Sequence, residues 1–248
     1  MEDEQSTPSP SLHISLSLTP GSEATAIQDF LATWASYNAN VDAVRRLSVK
    51  AEDVHLLRSE WNGSGMPEIS VVSLAKLAAM FPWLETLDIT GLRCQYNYEE
   101  FTEVFGVSVR FLRLDRVHFT RDGLSAFIAE MPRVLALYTR GVGPVEERFV
   151  PYEPVDESSI TYLHITHCYG YTTALPTLPG LRTIHVDHLT SLDIENLSDQ
   201  IWRSADTLEI LRLQIYDYYY SMSSISYVTT VSLFNFFTQL PSTTSGKT

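Results

Sequence analysis

One short pattern, apolar-x-x-apolar-x-apolar, returns along most of this chain and limits what it can fold into more than any other feature. It stands at Val44/Leu47/Val49, Leu84/Leu87/Ile89, Val109/Leu112/Leu114, Val134/Leu137/Thr139, Ile160/Leu163/Ile165, Leu181/Ile184/Val186 and Leu208/Leu211/Leu213, seven copies with first-residue spacings of 40, 25, 25, 26, 21 and 27. Five of the six spacings fall in the range of about 20–29 residues expected when one-strand units, each too small to bury its apolar face alone, are stacked in series. Within a copy the period of two sends two apolar side chains to one face of a short strand and three residues to the other. The copies are therefore expected to pair as a parallel sheet, with strands centred near residues 47, 87, 112, 137, 163, 184 and 211. The long first gap reads as one unit plus an insertion around Asn62-Gly63-Ser64-Gly65. A weaker eighth strand is expected at Leu12-His13-Ile14-Ser15-Leu16, followed by a helix from Thr25 whose Gln28 completes a capping-box spacing.

Each strand must return on the far side of the core before the next begins. Val72 to Phe81, Tyr98 to Phe105, Gly123 to Met131 and Ile194 to Trp202 carry helical period and should cover the convex side. Gly143 to Ser159, with three prolines, and Tyr169 to Gly180, with two, should be extended or irregular. The reading is an α/β chain: an acidic Ser/Pro tail over 1–11, one irregular solenoid over 12–240 with a parallel concave sheet and helical and extended convex returns, and a polar tail over 241–248. Leu233 to Leu240 followed by Pro241 has the form of a helix-then-proline join, so that tail stands where a further strand is expected, as in an interrupted repeat.

The unit from Val109 to Val134 resembles the roughly 26-residue leucine-rich repeat of F-box proteins, most closely the irregular units of fungal ones. Thr120, Asp122, Gly123, Leu124 and Met131-Pro132 approximate that family's strand-to-helix turn and closing proline, with Arg121 inserted, and Phe81-Pro82-Trp83-Leu84 and Leu178-Pro179-Gly180-Leu181 repeat the join. The resemblance covers about residues 44 to 216 and implies a ribonuclease-inhibitor-like leucine-rich-repeat fold with a role in recognising protein substrates for turnover. It departs from the family where a cysteine or asparagine usually follows the last strand leucine by three residues: Leu92, Val117, Val142, Leu189 and Tyr216 stand there, and Cys168 alone keeps the pattern. It does not extend to an F-box, so docking to a ubiquitin-ligase adaptor is expected only if an F-box is supplied elsewhere.

Composition narrows the function. A chain that is 44% hydrophobic and 19% charged can bury enough apolar surface to fold, and a net charge of −13 repels phosphate backbones, so general nucleic-acid binding is not expected. No stretch approaches eighteen uninterrupted apolar residues, so no membrane span is expected. Two cysteines and an acidic start without an apolar segment behind it point to a reducing compartment, cytoplasmic or nuclear. The terminal Gly246-Lys247-Thr248 lacks the earlier glycine of a phosphate-binding loop, and no nucleophile-elbow sequence is present.

The chemically suggestive residues are histidines. His164-x-x-His167-Cys168 and His185-x-Asp187-His188 fall in consecutive units in matching register. Since parallel strands lie about 4.8 Å apart, His164 should neighbour His185, and His167 and His188 should meet just beyond the strand ends. Four imidazoles with Asp187 offer donors of the kind that hold zinc, although solvent-facing strand positions also accept histidine freely. The Tyr216-Asp217-Tyr218-Tyr219-Tyr220 run reads either as loop packing or as interface tyrosine, and the acidic cluster at Glu146, Glu147, Glu153, Asp156 and Glu157 as a solvated convex loop.

The outward strand residues should form a ladder on the concave face: Arg46, Ser48, Lys50; Thr86, Asp88, Thr90; Phe111, Arg113, Asp115; Ala136, Tyr138, Arg140; Tyr162, His164, Thr166; Thr183, His185, Asp187; Ile210, Arg212, Gln214. This face carries five cations against three anions within an acidic chain, around an aromatic patch of Phe111, Tyr138 and Tyr162. The expected function is non-enzymatic protein–protein interaction, with a protein partner held through Phe111, Arg113, Tyr138, Arg140, Tyr162, His164, His185 and Arg212 and with no cofactor. The alternative is a metal-binding or hydrolytic protein using His164, His167, His185 and His188.

Overall fold

A computed structural model describes residues 11–36, 41–52, 65–95, 108–119, 123–129, 131–144, 158–166, 178–189, 194–215 and 227–232. In chain order the elements are β1 (Leu12–Leu18), α1 (Glu23–Ser36), β2 (Val44–Ala51), β3 (Glu68–Ser70), α2 (Val71–Ala79), β4 (Thr86–Thr90), β5 (Arg93–Gln95), β6 (Phe111–Asp115), β7 (His118–Phe119), α3 (Gly123–Ala129), β8 (Ala136–Arg140), β9 (Gly143–Pro144), β10 (Tyr162–Thr166), β11 (Thr183–Leu189), α4 (Ile194–Arg203), β12 (Ile210–Ile215) and β13 (Tyr227–Ser232).

All seven strand positions expected from the repeat are strands, and so is the weaker first one. They form a mixed α/β fold whose main sheet has the order β1-β2-β4-β6-β8-β10-β11-β12-β13. The first eight pair in parallel and in chain order. Inward residues of successive copies stand opposite one another: Leu47 faces Leu87, Leu87 faces Leu112, Leu112 faces Leu137 and Leu137 faces Leu163. A slip of one residue would turn every leucine toward solvent, so burial of one face holds the register. The result is one continuous apolar core running from Leu16 to Leu208.

The returns follow from local sequence. In α2, Val71, Leu74, Ala75 and Ala78 lie on one helical face and are buried, with Val72 and Leu77 beside them. Ser70, in extended backbone, caps the start by accepting a hydrogen bond from the Ser73 amide at 3.0 Å. After the helix the chain turns at Pro82, and the Leu84 amide donates to the Phe81 carbonyl at 3.0 Å. The same join recurs after α3, where the Val134 amide donates to the Met131 carbonyl at 3.0 Å. Leu84 and Val134 are buried, so each join delivers the first apolar residue of the next copy to the core.

Four features depart from the expectations. First, a second parallel sheet, β3-β5-β7-β9, runs beside the main one. It arises because the chain bends sharply at Gly91 (φ 68°), Arg116 (φ 53°) and Gly141 (φ 60°), each followed by a buried apolar residue: Leu92, Val117 and Val142. These are positions where the resembled family keeps cysteine or asparagine. Second, β13 pairs antiparallel to β12 and continues the sheet in a way the repeat does not foreshadow. Third, Leu211, expected in the core, is only partly buried, because its strand is the last of the parallel series. Fourth, α1 begins at Glu23, so Thr25 lies inside it and the expected Thr25–Gln28 cap does not form. The Ser22 carbonyl accepts the Ala26 amide at 3.0 Å after a turn at Gly21 (φ 82°), which starts the helix earlier.

The expected helices at 98–105 and 233–240, the tails at 1–10 and 241–248, the acidic cluster at 146–157 and the tyrosine run at 216–220 lie outside the described residues. Among the described residues no helix is long and apolar enough to cross a membrane.

Candidate functional site

The ladder expected from the repeats is the register observed. Its middle positions make an unbroken row across the main sheet: Ser48, Asp88, Arg113, Tyr138, His164, His185 and Arg212. A parallel strand adds one residue to this row about every 4.8 Å, so long side chains on neighbouring strands must touch.

At one end, Asp88 is only 8% exposed, against the expectation of an open ladder position. The Arg46 and Arg113 side chains fold over it: Arg46 Nε bonds its Oδ2, and Arg113 Nε stands 3.8 Å from Oδ1. Ser48 Oγ donates to Oδ2 at 3.3 Å. Ala136 is buried as well, its methyl in register between Phe111 and Tyr162.

The centre of the row is aromatic. The Arg113 guanidinium lies 5.0 Å from the Tyr138 ring centroid, a cation–π contact. Tyr138 packs on Tyr162 with centroids 5.3 Å apart and on His164 at 6.0 Å, and His164 packs on His185 at 5.1 Å. Phe111 is 38% exposed, while Tyr138, Tyr162, His164 and His185 are half-buried by one another. At the far end stands Arg212, whose Nε is buried without a hydrogen-bond partner among the described residues. The structure thus brings Arg113, Tyr138, Tyr162, His164, His185 and Arg212 together, and places Phe111 on the strand of Arg113 and Arg140 on the strand of Tyr138, each two residues along.

His164 and His185 are neighbours as expected. His167 lies outside the described residues, and His188 falls within β11 and not beyond its end, because that strand runs to Leu189. Among the described residues no group of three or more histidine, cysteine or acidic side chains is arranged to hold a metal ion. His164 Nε2 donates to Asp187 Oδ2 at 2.9 Å, and Thr166 Oγ1 stands 3.3 Å from the same nitrogen. A hydrolytic relay passes a proton through opposite ring nitrogens, from hydroxyl to imidazole with a carboxylate behind it. Here hydroxyl and carboxylate share one nitrogen, so the arrangement positions the ring and does not form such a relay. The Cys94 thiol is fully buried, and burial pushes its pKa far up, which removes it as a nucleophile.

Burial lowers the His185 pKa below the ordinary 6.5, helped by His164 and Arg212 and opposed by Asp187. Burial also raises the Tyr162 pKa, with Tyr138 and Asp187 adding to it and Arg212 opposing. The histidine shift has a measurable sign. Between the lowered value and 6.5 the unfolded chain binds a proton that the folded chain refuses, so the stability His185 contributes is present above 6.5 and lost as pH falls through that window. Thermal melts at about pH 7.5 and about pH 5.5 should therefore show a smaller acid-induced loss in His185→Gln than in the parent chain. Equal losses would remove His185 from the pH dependence.

Sequence reasoning missed how the charges pair. Arg116, in the left-handed region at φ 53°, turns back so that its Nε lies 3.3 Å from Asp115 Oδ1. Only the turn between β6 and β7 makes adjacent residues an ion pair. The Asp88–Arg113 pairing, in contrast, was available from the 25-residue spacing that puts the two side by side.

Neither a family model nor a curated protein matches this chain.

Proposed function

We propose that the chain is an irregular leucine-rich-repeat solenoid and that the ladder face of its main sheet is a non-enzymatic docking surface for a protein partner. The observation that carries this reading is the contiguous stack of Arg113, Tyr138, Tyr162, His164 and His185 on one side of the sheet, with Phe111 exposed beside it. Arginine and aromatic side chains held rigid by one another present large contact area at low entropic cost, which is the make-up of interface hot spots. The acidic remainder of the chain disfavours nucleic acid as the partner. The resemblance to F-box proteins adds a role as the substrate-recognition part of a ubiquitin-ligase receptor, with the adaptor engaged through an F-box supplied elsewhere. Two cysteines, one of them a buried free thiol, suit a cytoplasmic or nuclear setting.

Affinity capture with mass spectrometry, run in parallel on the parent chain and on a Phe111/Tyr138/Tyr162 triple alanine variant that thermal melts show to be folded at the capture temperature, tests this. A partner retained by the parent and lost from the variant is expected. Full retention by the variant would refute the ladder face as the docking surface.

A further inference from the structure

The rim of the ladder face where the strands end contains a cavity of ≈ 140 Å³, lined among others by Arg113, Asp115, Tyr138, Arg140, His164 and Thr166. Its charges are not balanced locally. In the sheet register Asp115 stands opposite Arg140, the arrangement that would ordinarily make a cross-strand ion pair. Instead Arg116 holds the Asp115 carboxylate, at 3.3 Å from Oδ1. The Arg116 amide donates to the Arg140 carbonyl, so the turn that positions the competing guanidinium is anchored on the strand carrying Arg140. Arg140 is exposed and makes no ion pair among the described residues. Arg113, packed on the Tyr138 ring, has as its ion contact a long one of 3.8 Å to Asp88, which Arg46 holds closely. Two guanidiniums thus line one cavity, with the hydroxyl of Thr166 and the imidazole of His164 beside them.

We infer that this cavity receives an oxyanion, a carboxylate or a phosphate, carried on an acidic peptide segment of the protein partner; the inference rests on the docking surface proposed above. Arginine forks accept planar or tetrahedral oxyanions through paired N–H donors. The aromatic stack running from Tyr138 to Tyr162 lies beside the cavity and gives the flanking peptide a surface to pack on. A free small anion would find the cations but not that surface, which selects the peptide as the source.

Fluorescence anisotropy on the full chain, with a labelled hexaglutamate peptide, its hexaphosphoserine counterpart and a hexaglutamine control, tests the inference. Both anionic peptides should bind at least about tenfold more tightly than the neutral one, and Arg140→Gln should remove about tenfold of that affinity. Lys76→Gln, the same charge change on an exposed position of α2, should remove none. Equal binding of the three peptides, equal losses in the two variants, or inorganic phosphate competing as strongly as unlabelled peptide would each overturn it. A captured partner that is lost from the aromatic triple variant but held at full strength by Arg140→Gln would refute the oxyanion site and leave the docking surface standing. Retention by the triple variant would refute the surface itself.

Discussion

Leu112→Ala is expected to lower the unfolding free energy by about 2–5 kcal/mol, the largest effect of any single change considered for this chain. Leu112 is fully buried and sits in register between Leu87 and Leu137, so its side chain is enclosed by two neighbours of the same kind and by the covering layer. Removing it forfeits the transfer free energy of the lost carbons and leaves a cavity between strands whose spacing hydrogen bonds hold fixed. The walls cannot collapse freely, which places the cost toward the upper part of that range. Leu87→Ala and Leu163→Ala should behave alike, since both are fully buried in the same row. Leu211→Ala should cost less, because that residue is already partly exposed to solvent. Urea titrations of the four variants check the order; a loss at Leu211 equal to that at Leu112 would contradict the burial gradient along the sheet.

Tyr138→Ala is expected to weaken binding of the captured partner by about 2 kcal/mol, roughly thirtyfold in Kd. Tyr138 is the hub of the ladder face, touching the Arg113 guanidinium, the Tyr162 ring and the His164 ring. Its loss removes a contact surface and also releases the three side chains that it holds in place, so the paratope-like stack loses its rigidity. Stability should fall much less, by about 0.5–1.5 kcal/mol, because the side chain is half-buried and its partners are surface groups. Titration calorimetry with the partner and thermal melts of the free variant separate the two effects. Unchanged affinity would show that the partner docks elsewhere, whereas an equal collapse of affinity and stability would make Tyr138 a packing residue.

These two residues stand one strand apart and show what each level of description supplies. Leu112 was legible without any structure: an apolar pair spaced two apart, repeated at intervals near 25, is compatible with little besides parallel strands stacked in register. Position in the repeat therefore determined strand, facing and neighbour together, for Leu112 as for Tyr138, His164 and His185. Tertiary structure decided what the repeat leaves free. It curled Arg46 and Arg113 over Asp88 and buried a carboxylate expected in solvent. It turned Arg116 back onto Asp115 through a left-handed residue, leaving Arg140 without a counter-ion among the described residues. It also set β13 antiparallel to the last parallel strand, a direction that the repeat does not specify. The physical reason is one of range. Strand formation and facing depend on a period read over five residues and on burial of one face, both written locally in the chain. The pairing of long charged side chains depends instead on torsions at turns and on competition among neighbours brought together only when the strands are assembled.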